Sequence, residues 1–242
     1  MIKEVSKTNN VSKIPVLYED NHLLVVEKPA NMLSQADYTK DPDILSILKQ
    51  DLKQRYNKPG RAYLGLVHRL DRPVGGVMVF AKTSKAAARL SKQIRELNFT
   101  KVYFAVVQGI LTDLQGELVH YLKKDRRKNM VRITDYQEAG SKKAVLNYQV
   151  LDLKRNYSLV KVRLKTGRAH QIRVQFAAIN HPLVGDQKYG KSTNQRRIQI
   201  GLWSYLIGLD HPTTKERLEF SCLPPVREYP WNLFDNHWIE RM

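Results

Sequence analysis

Glu117-Leu-Val-His-Tyr-Leu122, Val131-Arg-Ile-Thr134, Lys143-Ala-Val-Leu-Asn-Tyr-Gln-Val-Leu-Asp-Leu153 and Tyr157-Ser-Leu-Val-Lys-Val-Arg-Leu-Lys165 follow one another with little between them. Apolar and polar residues alternate along these runs, and β-branched and aromatic residues are frequent, as in half-buried strands. No helical period separates them. Strand is joined directly to strand, so a doubly wound sheet, which needs a helix at each parallel crossover, does not fit. The predicted class is α+β, a large mixed, mainly antiparallel sheet with flanking helices.

Upstream of this stretch, Lys101 to Leu111 reads as a further strand. Before it, Thr83 or Ser84 caps a helix running to about Leu97, with Ala87, Leu90, Ile94 and Leu97 turned inward. Tyr63 to Leu70 and Val77 to Lys82 read as strands on either side of Asp71-Arg-Pro-Val-Gly-Gly76, a turn signal. Asp43 to Tyr56 has Ile44, Ile47, Leu48 and Leu52 on one helical face and Asp41 or Asp43 as cap. Pro15 to Tyr18 and Leu23 to Lys28 are the first strands. Downstream, a helix over about Ala169 to Ile179 precedes strands near 200–209 and 217–222. No repeat or linker divides the chain, so residues 14–242 are expected to be one domain with room for two subdomains on a shared sheet, preceded by a short flexible tail at 1–13.

Charge narrows the partners. Against 41 Lys+Arg stand 23 Asp+Glu, a formal net charge of +18 in 242 residues, which calls for a polyanion. Lys123 to Arg132 holds six basic residues and one acid, between strand-like runs, and is expected on a projecting hairpin. It lacks the broad apolar face of a membrane-surface helix, so nucleic acid is preferred to a membrane as partner. The lone Cys222 excludes an internal disulfide and any multi-thiolate metal site; with Ser221 it sits in an apolar strand, where a packed thiol is the plain expectation. The seven histidines show no ligand spacing, and no Gly-x-Ser-x-Gly elbow or phosphate-loop glycine pattern is present, so neither a structural metal, a serine hydrolase nor a phosphate loop is expected. The polar N-terminus and short apolar runs predict a reduced, cytoplasmic protein.

Two polar stretches carry possible chemistry. In His68-Arg-Leu-Asp-Arg-Pro-Val-Gly-Gly76, Asp71 stands between arginines at a strand end: a nucleophile or base kept ionised by nearby cations, or a turn aspartate serving local backbone donors. In Thr166-Gly-Arg-Ala-His-Gln-Ile-Arg173, two arginines and an amide at a helix start make an anion site, or else an ordinary helix start with solvated arginines. His181-Pro-Leu-Val-Gly-Asp186 and Lys188-Tyr-Gly190 form a further polar turn, in which His181 reads as structural.

With Lys101-Val-Tyr-Phe-Ala-Val-Val-Gln-Gly109 between them, these stretches closely resemble the three motifs of the pseudouridine synthases of the large-subunit ribosomal RNA type (RluA-like), in order. Tyr18-Glu-Asp-Asn-His-Leu-Leu-Val-Val-Glu-Lys-Pro29 and His181 to Asp186 resemble the same family, so the likeness runs from about residue 15 to 225. It implies an RNA uridine isomerase without cofactor or metal, acting on ribosomal RNA or transfer RNA; with no apolar stripe or coiled coil in the sequence, a monomer is expected. It further implies that Asp71 is the catalytic aspartate, that Tyr103 packs on the target base and takes its proton, and that Arg173 pairs with the aspartate. Arg69 would fill the space left by the flipped nucleotide. Arg168, His170, Gln171, Lys123, Lys124, Arg126, Arg127 and Lys128 are the expected RNA contacts. Two positions depart from the family pattern: Val74-Gly75 stands where Ser or Thr-Ser is common, and Gln175 where histidine often follows. No separate N-terminal RNA-binding module is expected before the first strand. Two other readings compete: a non-catalytic RNA-binding or ribosome-assembly factor on the same fold, and a metal-dependent nuclease, which would need carboxylates clustered near the basic motifs.

Overall fold

The computed structural model describes residues 14–57, 59–125, 127–190 and 198–241. The tail at 1–13 and Arg126 lie outside the described residues. Among the described residues, eleven strands and three α-helices run in the order β1 (Val16–Glu19), β2 (Leu23–Lys28), α1 (Ile44–Arg55), β3 (Gly65–Leu66), β4 (Gly75–Ala81), α2 (Ser84–Arg95), β5 (Thr100–Gln108), β6 (Gln115–Asp125), β7 (Met130–Thr134), β8 (Lys142–Lys154), β9 (Tyr157–Leu164), α3 (Gln171–Ala178), β10 (Leu202–Asp210) and β11 (Arg217–Ser221), followed by two short 3₁₀ turns. The class is α+β, as expected. The chain divides into two compact units: one of residues up to Thr100 with Ser204–Cys222, the other of Lys101–Trp203 with the C-terminal segment from Leu223.

In the first unit, β2 pairs antiparallel with β1 and β4, and β11 with β10. β2 and β4 are apolar almost throughout because both faces of this sheet are covered. Leu24, Val26, Met78 and Phe80 pack with Ile44, Leu48 and Leu52 of α1. The alternate residues Leu23, Val25, Val77 and Val79 pack with Ala86 and Leu90 of α2 and with Ile207 and Leu209. Asp43 caps α1 by accepting from Ser46 N at 3.0 Å, and Thr83 caps α2 by accepting from Ala86 N at 3.1 Å. Gly76, at φ +115°, could not carry a side chain: a Cβ there would lie 2.2 Å from Ser204 O.

Two expectations are corrected here. Leu97 does not face the core; it is 66% exposed at φ +61°, just past the end of α2. Asn98 N closes back on Gln93 O at 2.9 Å, so the left-handed turn ends the helix one residue before the apolar period does. Tyr63 to Leu70 forms only the two-residue β3, and Asp71 stands on a loop instead of a strand end. Side chains take over the ladder's hydrogen bonds there: His68 Nε2 accepts from Val79 N at 2.9 Å, and Ser34 Oγ binds both backbone groups of Leu70.

The second unit is an antiparallel sheet in the order β5-β9-β8-β6-β7. α3 covers one face: Val174 packs among Leu122, Val131 and Ala144, and Phe176 meets Tyr148 edge-on at 5.7 Å. β6 and β7 form the hairpin expected for the basic run. His181 is structural, its Nδ1 at 2.8 Å from Gln108 O. Cys222 is half-buried against the apolar cluster on the α2 side, whereas Ser221 is exposed.

Candidate active site

The loop bearing Asp71 is fixed on both sides of that residue. Upstream, Ser34 Oγ donates to Leu70 O at 2.7 Å and accepts from Leu70 N at 3.2 Å. Downstream, Val74 N donates to Asp71 O at 3.0 Å, closing a turn that buries Val74 in the place of the family's usual hydroxyl residue. The arginine after the aspartate is held as well: Arg72 Nε donates to Asn31 O at 3.2 Å, and its guanidinium pairs with Asp41 at 2.7 Å. Asp71 itself is half-buried, and Arg69 two residues before it is exposed.

Lys28 ties this loop together; it lies in the Tyr18–Pro29 stretch, to which the sequence reading gave no site role. Its side chain is fully buried, and Nζ donates to Pro29 O at 2.9 Å, Met32 O at 2.6 Å and Arg72 O at 3.2 Å. Burial pushes the ammonium down to about 7; the negative charge of Asp71 pulls it up, and Arg72 pushes it down further. Three carbonyls for three N–H donors is the complement of an ammonium group. The signal in the sequence is a lysine closing an otherwise apolar, doubly covered strand.

Because the native ammonium loses its proton more readily than the unfolded one, the unfolded chain binds more protons between about pH 7 and the ordinary lysine value near 10.4. Stability is therefore expected to rise with pH across that window, by up to about 1.4 kcal/mol per pH unit from this group. Lys28→Met removes that slope and leaves three carbonyls without their donor, at a cost of about 2–4 kcal/mol at pH 7. Urea unfolding at pH 6.5, 8 and 9.5 reads both effects; parallel pH profiles for wild type and variant would refute the assignment.

Tyr103 and Arg173 belong to the second unit. Tyr103 lies on β5 opposite Val162 and is 8% exposed. Lys101, on the same face of β5, sits so that a Cβ on Gly167 would lie 3.2 Å from its Nζ, and burial lowers its ammonium. Arg173 is buried in α3. Its Nε and Nη2 each donate at 2.8 Å to one oxygen of the fully buried Asp186, a bidentate pair. Asp186 Oδ1 also accepts from Lys188 N at 2.9 Å and Tyr189 N at 3.2 Å. Desolvation pushes this carboxyl up, but the Arg173 hydrogen bonds and charge, with the two amides, outweigh it and hold it below the ordinary carboxylate range.

A family model described as RNA pseudouridylate synthase matches residues 22–178, a span that includes Asp71, Tyr103 and Arg173. The chain belongs to the RNA pseudouridylate synthase family. A ribosomal large subunit pseudouridine synthase D of Pseudomonas aeruginosa is 32% identical over 235 residues, spanning 91% of this chain and 71% of that protein. A tRNA pseudouridine synthase C of Haemophilus ducreyi is 30% identical over 244 residues, spanning 93% and 96%. Among solved structures, human RNA pseudouridylate synthase domain containing 4 shares the fold with a TM-score of 0.74 at 22% identity over 93% of each chain. The chain is thus an enzyme, an RNA pseudouridine synthase, and RNA is its substrate class.

For such a synthase the remaining motif residues divide into exposed and internal ones. Lys124, Arg127, Lys128 and Arg168 are exposed. The hairpin tip is ordered by Asp125 Oδ1, which accepts from Arg127 N at 2.9 Å and Lys128 N at 3.1 Å. Lys123 is partly spent, its Nζ at 2.8 Å from Glu138 Oε1. Gln171, expected among the RNA contacts, is 3% exposed, and its amide is used internally. Its Oε1 accepts from Arg168 N at 3.0 Å and Thr166 Oγ1 at 2.9 Å, while Nε2 donates to Val145 O at 3.1 Å. That arrangement has a local cause. His170, at φ +50°, makes no side-chain cap to α3, and Gln171, the helix's first residue, reaches back to the turn before it. At the other departure from the family pattern, Gln175 Nε2 donates to Leu118 O at 2.9 Å and anchors α3 to β6.

His170 is half-buried, its Nδ1 2.7 Å from Tyr189 OH, which also accepts from Val131 N at 2.8 Å on the edge strand β7. The Arg173 guanidinium lies over the Tyr189 ring, 5.3 Å from its centroid. Tyr189→Phe keeps the ring but orphans the Val131 amide, and is expected to cost about 1–2 kcal/mol in urea unfolding. An unchanged midpoint would show that water replaces the hydroxyl without loss.

Proposed function

We propose that this synthase isomerises uridine in structured ribosomal RNA through Asp71, Tyr103 and Arg173, using residues 14–242 as one catalytic domain, as a monomer in the cytoplasm and without cofactor. The observation that carries the reading is the immobilised Asp71 loop: Ser34, Lys28 and the Val74 amide fix the backbone on both sides of one carboxylate. Preorganisation of this kind suits a group that must meet a sugar or base in a single geometry. Ribosomal RNA is preferred as substrate because the D-type relatives carry that function in their names; transfer RNA is the second choice, from the C-type relative.

In the reaction the N1–C1′ bond of uridine breaks, the uracil turns, and a C5–C1′ bond forms. The C5 proton is lost and N1 gains one, so there is no net redox change. The uridine must leave its stack to reach a side chain, at a cost of a few kcal/mol that is smallest in loops and bulges. Tyr103 offers a flat face and a hydroxyl to the extruded base, Arg173 a fixed positive charge, and Arg69 an exposed side chain for the vacated space. Lys124, Arg127, Lys128 and Arg168 would offset the extrusion cost by holding phosphates.

Because C5 loses its hydrogen, RNA labelled with tritium at C5 of uridine reports the reaction directly. Total RNA from cells lacking the protein presents the target unmodified. Tritium release by the pure protein is the expected result. No release by a folded protein that still binds this RNA would move the reading to a binding factor.

A further inference from the structure

The face of the second unit's sheet turned away from α3 has no role in the scheme above. Register places it: Glu117, Asn147 and Arg163 form one row across β6, β8 and β9, with Gln149 and Lys161 in the next row on one side; on the other side come Val119 and Val145, and beyond them Tyr121 and Lys143. Side chains alternate along each strand, so these residues point opposite to Leu122, Ala144 and Tyr148, which meet α3. At its β5 end the face is closed by the C-terminal segment, where Trp238 packs edge-on against the buried Phe104 at 5.0 Å. Beyond that, Lys143, Gln149 and Arg163 are exposed, and Asn147 and Lys161 half-buried.

A solvent-facing antiparallel face is ordinarily polar, with charges of both signs. Here the acids are already matched. Glu117 pairs with Lys165 at 2.7 Å, and that hydrogen bond and charge, aided by Asn147 and Lys143, lower its carboxyl. Glu138 takes Lys123 at 2.8 Å and also Arg132. Lys161 and Arg163 are in no ion pair among the described residues, and with Lys143 they leave a positive surplus. At the rim Tyr136, 67% exposed, leans on Tyr121 with ring centroids 6.0 Å apart. Surplus cations beside an exposed aromatic ring match phosphates and unstacked bases.

We propose that this face is a second RNA contact, on the side of the sheet opposite Arg173, holding a single-stranded stretch of the substrate that flanks the target uridine. The proposal rests on the reading that the substrate is RNA. It makes the enzyme grip its RNA on two sides of one sheet, through the hairpin tip and through Lys143, Lys161 and Arg163. Placed in the pleat but away from the reacting residues, these three side chains would raise affinity for long RNA without touching turnover.

The test is Lys143→Gln/Lys161→Gln/Arg163→Gln, all on a solvated surface, with Tyr136→Ala as a separate variant. Binding to a large-subunit ribosomal RNA transcript is measured from 50 to 300 mM KCl, alongside tritium release from C5-labelled total RNA. Removing one phosphate-binding cation flattens the log–log salt dependence by about 0.7–0.9, so the triple variant should be shallower by about two. Its affinity should fall by about 10–30-fold at 150 mM KCl, with a raised KM and an unchanged kcat. Tyr136→Ala should weaken binding by about fivefold or more with the wild-type salt slope. Wild-type affinity, slope and KM in the triple variant, with tritium still released, overturn this proposal and leave the synthase reading intact. Weaker binding by the variants in a protein that releases no tritium supports the face and overturns the catalytic reading instead.

Discussion

Asp71→Asn is expected to abolish tritium release, with turnover lowered by at least about a thousandfold, while RNA binding stays within a few-fold of wild type. The substitution is nearly isosteric, and main-chain and Ser34 and Lys28 anchors hold the loop on both sides of it. Leu70 is held by Ser34, the Arg72 carbonyl by Lys28, and Val74 N bonds to the Asp71 main chain, not its side chain. The loss should therefore be chemical. Lys28 supplies an independent check. The Asp71 charge supports the Lys28 ammonium, so the asparagine variant should deprotonate Lys28 below the wild-type value of about 7. The rise of stability with pH should then begin at a lower pH. A variant that still isomerises uridine would remove Asp71 from the chemistry, and one that fails to fold would contradict the anchoring just described.

What was legible in the sequence followed from periodicity. Strands β6, β8 and β9 were readable because polar residues on one face alternate with apolar ones on the other, and β5 by its short continuous apolar run. The helix caps were readable because Asp43 and Thr83 act on their own neighbours. Legibility failed where a distant side chain took the place of a backbone partner. Tyr63 to Leu70 has a strand's composition, yet Ser34 and His68 replace its ladder. Leu97 continues the apolar period of α2, but the left-handed turn comes first. Gln171 belongs to a stretch rich in RNA-like contacts and is nonetheless spent on Thr166, Arg168 and Val145. Of the site, the motif residues stood out with roles, whereas Lys28 and Asp186 stood in quoted stretches that gave them none, and Ser34 stood outside them. A supporting residue is defined by burial and by neighbours at long sequence separation, and of the three only Lys28, closing an apolar strand, leaves a local mark.

The second large effect is expected at one of those supports. Asp186→Asn keeps an oxygen for the Lys188 and Tyr189 amides but turns an amide N–H towards a guanidinium that is itself only a donor. An arginine whose side chain is 5% exposed would lose a bidentate carboxylate partner, and breaking such a buried pair typically costs about 3–5 kcal/mol. The pH dependence has a definite sign. Because the native carboxyl is held below its ordinary value, the pair's contribution is fully present above the unfolded carboxylate pKa near 3.9 and is lost as pH falls through the lowered native value. Wild type should lose this contribution in acid, and Asp186→Asn should lack that part of the acid transition because it never has the contribution. Stability and catalysis can then be separated by removing both charges. Arg173→Met/Asp186→Leu leaves neither ion buried alone, so its urea midpoint should return most of the way to wild type. Tritium release should not return with it, because the reading needs a cation at position 173 and not merely a filled space. A double variant that regains both would make the pair a structural clamp and place the cation of the reaction elsewhere.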